Sequence, residues 1–130
     1  MGFIEKLFGG GKTQKSTFRN VDWMEVEAKL RNLEQLATMA DQVNAKQLII
    51  QSDVLVDSIM KQAGVPGSTM GERLKSLKTK IDRGVYSKLW QAHIKRNELV
   101  HDAGSFVAEW EKTQYFKAFK EGISAMRGIR

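Results

Sequence analysis

The chain has 130 residues, 42% of them hydrophobic and 28% charged, with no cysteine and a single proline. That length suits one domain with its own core; the lack of cysteine excludes disulfides, thiolate metal sites and cysteine nucleophiles, and accords with a reducing cytoplasm. A net charge of +6 favours polyanions such as nucleic acid or an acidic membrane surface, and the densest apolar stretch, "LIIQSDVLV" from Leu48 to Val56, is too short and too interrupted to span a bilayer.

Residues 1–20 read as a flexible basic arm. Phe3, Ile4, Leu7 and Phe8 make a small apolar face, followed by the linker "GGGKTQKST". Residues 1–8 are thus a candidate foot for weak membrane contact or for a partner. Gly2 lacks the serine or threonine that myristoylation needs at position 6, where Lys6 stands. The "GKT" at Gly11 to Thr13 lacks the earlier glycine and the preceding strand of a phosphate loop.

Residues 21–130 read as one helical domain. Asp22 and Glu25 form a capping-box pattern, and Trp23, Val26, Leu30, Leu33 and Ala37 follow at helical spacing, predicting a helix to about Ala40. A second helix is expected from about Asn44 to Ala63, stopped by "GVPG". Thr69 and Glu72 repeat the capping pattern ahead of a shorter helix through Ile81. A fourth helix starts near Val85, and a fifth, capped by Ser105, runs from Phe106 to about Arg127 with Trp110, Phe116, Phe119, Ile123 and Met126 spaced for burial. No segment reads as a strand, and the short connections predict an all-α, up-and-down bundle of four or five helices.

The fourth helix ends in "RNELVH". On an ideal helix Arg96 and His101 lie about 140° apart, while His93, Asn97 and His101 share a stripe. A loosened last turn would let the long arginine reach toward His101. Such a pair has a chemistry: a neutral imidazole takes a proton from a hydroxyl while a guanidinium holds a phosphate. The same residues at a helix C-terminus also suit the helix dipole and a fraying end.

An arginine, a polar residue and then a histidine late in a helical bundle resembles the HEPN superfamily of nucleotide-binding and ribonuclease domains. Over about residues 45–127, "IIQSDVLVDSIMKQAGVPGSTMGERLKSL" and "LWQAHIKRNELVHD" are similar to a group of bacterial HEPN-like proteins with an acidic helix, a "GERLK" helix start and an "AH..RN..(A/V)H(E/D)" motif. Relatives in that group often carry a membrane segment upstream, where this chain has the arm and a polar amphipathic helix. The resemblance implies a homodimer that binds RNA between facing motifs and, in active members, cuts it without metal in a toxin or defence setting. In that scheme His101 is the base, Arg96 the phosphate clamp and Asn97 an orienting partner. Asp53 is then a supporting residue, or alternatively a helix-surface or partly buried carboxylate paired with a lysine. An antitoxin or another protein partner is also implied. The alternative expectation is a noncatalytic scaffold, recruited to a partner or membrane by the arm.

No cofactor is expected, and no metal: His93 and His101 are eight residues apart, with no cysteine and no placed third ligand. His93 is expected to pack beside Trp90 or to extend a polar cleft. Trp110, Tyr115, Phe116 and Phe119 suggest base stacking, yet their spacing makes most of them core. Lys75, Lys78, Lys80, Lys112, Lys117, Lys120 and Arg127 are candidates for the border of a phosphate-binding groove, though Glu109, Glu111 and Glu121 interleave with the later ones. The expected location is cytoplasmic, at most peripheral to a membrane.

Overall fold

A computed structural model describes residues 17–129. The contact expected of residues 1–8 lies outside the described residues. After a single 3-10 turn, Phe18–Asn20, come α1 (Trp23–Ala37), α2 (Gln42–Gln62), α3 (Met70–Lys75), α4 (Arg83–His101) and α5 (Glu109–Arg127), with no strand among the described residues. None of these helices is long and apolar enough to cross a membrane.

The helices start where the sequence places acceptors for free N–H groups. Asp22, Asp41, Thr69 and Asp82 each accept from the backbone N–H three residues on, each cap contributing about 1 kcal/mol. Two of the expected capping boxes are only half formed. The Asp22 N–H goes to Gln62 Oε1 rather than to Glu25, and Glu72 reaches Ser68, one residue before Thr69.

Three boundaries differ from expectation. Helix α1 stops at Ala37, because residues 38–41 are needed to turn the chain into the Asp41 cap of α2. After Lys75 the chain continues as tight turns that still bury Leu77, instead of one helix to Ile81. Helix α5 begins at Glu109, not Phe106. Ser105 does not cap it: its hydroxyl is drawn to the Asp102 carbonyl, while Glu111 bonds back to the Ala108 N–H. Trp110, expected in the core, is 60% exposed as a result.

The bundle is up-and-down, with α3 lying between α2 and α4 in sequence. Helix α2 is the centre, packing on α1, α4 and α5, and α4 packs along α5. Glu27 with Arg127 and Glu34 with Lys120 show α1 and α5 running antiparallel. Leu48, Ile49, Val56, Ile59, Met60, Leu74, Leu77, Leu89, Phe119 and Met126 fill the core, where each contributes about 1.5–3 kcal/mol of burial. Close approach of α4 and α5 depends on Gly122, where a Cβ would lie 2.8 Å from Leu89 Cδ2. The helical domain reaches back past residue 21: Phe18 is buried among these residues and the Thr17 N–H bonds the Ala63 carbonyl. The expected arm therefore gives up residues 17–20 to the bundle, since the apolar Phe18 finds a place there.

Helix α2 ends in a Schellman motif. The Val65 N–H returns to the Met60 carbonyl and the Gly64 N–H to Lys61, with Gly64 at φ 76°, where a Cβ is disfavoured. That stop sets the connection leading to α3.

Candidate functional site

Asp53 is the centre of the polar cluster. Its carboxylate is 1% exposed on α2. Its Oδ1 lies 3.0 Å from His93 Nδ1, and its Oδ2 lies 3.4 Å from Arg96 Nε. His93 and Arg96 are three apart on α4 and so both turn toward α2. Of the two readings open for Asp53, the lysine-paired carboxylate, at the surface or partly buried, does not hold, because the partners are a histidine and an arginine.

Burial is the largest influence on Asp53 and lifts its pKa. The His93 hydrogen bond, the His93 charge and the Arg96 charge pull it down without cancelling the rise. His93 is itself 5% exposed, and its ring meets Trp90 edge to face with centroids 5.6 Å apart. The expectation that His93 packs beside Trp90 agrees with this geometry.

Arg96 is only partly satisfied. Its Nη1 donates to Asn97 Oδ1 at 2.9 Å, while its buried Nε has no aligned hydrogen-bond acceptor despite the nearby Asp53. The side chain keeps 30% of its surface exposed. His101, the last residue of α4, is exposed and makes no side-chain hydrogen bond or ion pair among the described residues. The chain therefore brings Arg96 together with Asp53 and Asn97, not with His101. The reach of Arg96 toward His101 is not made, because the buried carboxylate draws the guanidinium to the α2 side.

The end of α4 is held firmly by a residue the sequence reading left out. Lys95, 6% exposed, donates to the Phe106 carbonyl and pairs with Glu98 and Glu111. Burial acts to lower its pKa, and the two carboxylates overcome that and raise it. The loop is also clamped by Gln42, whose amide exchanges two hydrogen bonds with the Val107 backbone, and by Asp102, which accepts from Gly104 N–H. The signal for Lys95 was its position one turn before Glu98 and inside an apolar stripe.

Helix geometry also defines a face. On α2, Val43, Ile50 and Val54 point to the outer side of the Asp53 position, and on α4 Ile94, Asn97 and His101 point to the same side of the pair. Val43, Val54 and Ile94 are 69%, 54% and 58% exposed, and Val100 beside them is 50% exposed. Arg96 is turned away from the α4 stripe toward Asp53, with 30% of its side chain exposed. Among the described residues no group of three or more histidine, aspartate or glutamate side chains is gathered in a way that would hold a metal ion.

No family model matches the chain, and no curated protein or solved structure matches it either.

Proposed function

We propose that the chain is an HEPN-like domain that dimerises through the outer α2/α4 face and binds RNA there, acting as a metal-independent endoribonuclease. The observation that carries this reading is the buried Asp53, which orients His93 and Arg96 on the helix whose exposed end is His101. Removing a carboxylate from water is costly, and at this place it fixes the polar side chains of one helix face. The exposed apolar residues around that face favour a second copy as cover. In a two-fold arrangement, His101 of one protomer faces Arg96 of its partner, which supplies the base and the clamp that a single chain keeps apart. His101 then removes the 2′-hydroxyl proton, the 2′-oxygen attacks the adjacent phosphorus, and Arg96 holds the charge that grows on the phosphate oxygens as the 5′-oxygen leaves. A toxin or defence role, with a protein partner that silences it, belongs to the same reading.

Incubating the purified chain with structured and single-stranded RNA in chelator tests it. Cleavage is expected, falling roughly 10²-fold or more in His101→Ala and in Arg96→Ala, with light scattering still giving a dimer. Full activity in His101→Ala defeats the enzyme. The second reading, a noncatalytic RNA-binding or scaffold module, is favoured by one observation: Arg96 is held by Asp53 and Asn97. RNA bound but uncut by the wild type, with binding weakened in Arg96→Ala, selects it.

A further inference from the structure

Between the turns that follow α3 and the first turns of α4 is a concavity of about 420 Å³, lined by Lys78, Thr79, Arg83, Tyr86, Ser87 and Trp90. The α4 members fall at three- and four-residue intervals and so share one helix face. Lys78 and Arg83 form no ion pair with a described residue, and the hydroxyls of Thr79, Tyr86 and Ser87 make no hydrogen bond among the described residues. Asp82, the neighbour of Arg83 in sequence, caps α4 by accepting from the Val85 N–H at 3.1 Å. Lys75, Lys80 and Lys88 add to the positive potential around this segment. Tyr86 and Trp90 stand edge to face, with centroids 6.4 Å apart at 75°, and form the wall.

Two cations facing one hollow repel each other unless an anion sits between them. A guanidinium fork, an ammonium and three hydroxyls are the donors that a phosphoryl group accepts from. Two aromatic side chains beside them offer a surface for a flat ring. The volume is within the range of small-molecule sites, about 300–1,000 Å³.

We propose that this concavity binds a nucleotide, its phosphate between Lys78 and Arg83 and its base against Trp90 and Tyr86. The site stands on the α3–α4 junction and does not depend on the dimer or on cleavage. It adjoins the Asp53 cluster through one shared side chain, since Trp90 also contacts the His93 ring. The same chemistry has two sources, a free nucleotide and the 5′-phosphorylated end of an RNA.

Calorimetric titration of the full chain with adenosine monophosphate tests it, with adenosine and inorganic phosphate as partial probes. Saturable binding is expected, competed by phosphate, accompanied by tryptophan quenching that disappears in Trp90→Phe, and weakened about tenfold or more in Lys78→Ala/Arg83→Ala. Both cationic side chains are exposed, so that variant should keep the wild-type melting curve. A 5′-phosphorylated oligonucleotide binding more tightly than its 5′-hydroxyl form and than the mononucleotide assigns the site to an RNA end; a mononucleotide that binds as well or better assigns it to a free nucleotide. Arg96→Ala and His101→Ala should bind adenosine monophosphate as the wild type does, which separates this site from the RNA face. Absence of saturable binding at millimolar nucleotide, or equal affinity in the double variant, overturns the proposal.

Discussion

Helix α2 carries two aspartates one turn apart, and each meets an arginine from another helix. Asp57 receives Arg73 through two hydrogen bonds, Nε at 2.7 Å and Nη2 at 3.0 Å, and the remaining Nη1 donates to the Gly67 carbonyl at 2.8 Å. Asp53 receives Arg96 only as a 3.4 Å approach without alignment. The first pair is complete: fork meets carboxylate, and the leftover donor is used by the turn before α3. The second is shared among a histidine, an arginine and an asparagine, with donor capacity left over. A fold needs the first kind of contact to pin α3 onto α2. The second kind stabilises less although its carboxylate is the more deeply buried, Asp53 being 1% exposed against 18% for Asp57.

The largest expected effect falls on the complete pair. Arg73→Ala leaves Asp57 with only the exposed Lys61, 3.7 Å away, in place of a two-bond fork, in a region where the Arg73 and Asp57 side chains are 10% and 18% exposed, and should cost about 3 kcal/mol in urea unfolding. The Gly67 turn adds to this, because Gly67 at φ 144° abuts the Arg73 backbone and loses its carbonyl's donor. A loss no greater than that of Arg96→Ala would erase the distinction between the two aspartates.

Asp53→Ala comes next. It strips the acceptor from buried His93 and removes the charge 3.4 Å from Arg96 Nε at once, an expected loss of about 2 kcal/mol. Arg96→Ala should cost only about 1 kcal/mol, because the guanidinium is partly in water and misaligned, and His93 still bonds the carboxylate. The order Arg73, then Asp53, then Arg96, read from unfolding midpoints at neutral pH, sharpens the contrast; Arg96→Ala matching Arg73→Ala breaks it.

Much of the architecture was legible in the sequence because it depends on local rules. Asp22, Thr69 and the "GVPG" stop announce their helix ends through side-chain acceptors and backbone restrictions that act within a few residues. Trp110 was misread because its spacing matches the core stripe, while its fate depends on where α5 begins. That start is set by Glu111 capping Ala108 after a loop tied down by Gln42 and Lys95, contacts spanning up to 65 residues. The cluster shows the same division. Arg96, Asn97 and His101 stand out as a motif, but the direction of Arg96 is decided by Asp53, 43 positions earlier in the sequence. Arg73 passed as part of a helix start, since nothing local says that Asp57 awaits it.

The smallest expected effect is a slope. Burial raises the folded pKa of Asp53 above the ordinary 3.8, so the folded chain keeps this proton to higher pH than the unfolded chain. Where the folded state binds more protons, stability falls as pH rises. The contribution of Asp53 therefore declines as pH climbs from about 3.8 through the folded pKa and is level beyond it. Glu27, Asp41 and Glu72 work in the other direction, held below their usual range by hydrogen bonds from Arg127, Asn44 and Ser68, and their contributions fade as pH falls. Asp53→Asn keeps the shape and an acceptor for His93 but removes one titration, and the other three groups cancel in the difference between the two chains. The variant should gain on the wild type as pH rises across that window, measured by paired urea unfolding at several pH values. A difference that stays flat, or one that runs the other way, would mean that His93 and Arg96 satisfy Asp53 as fully as Arg73 satisfies Asp57.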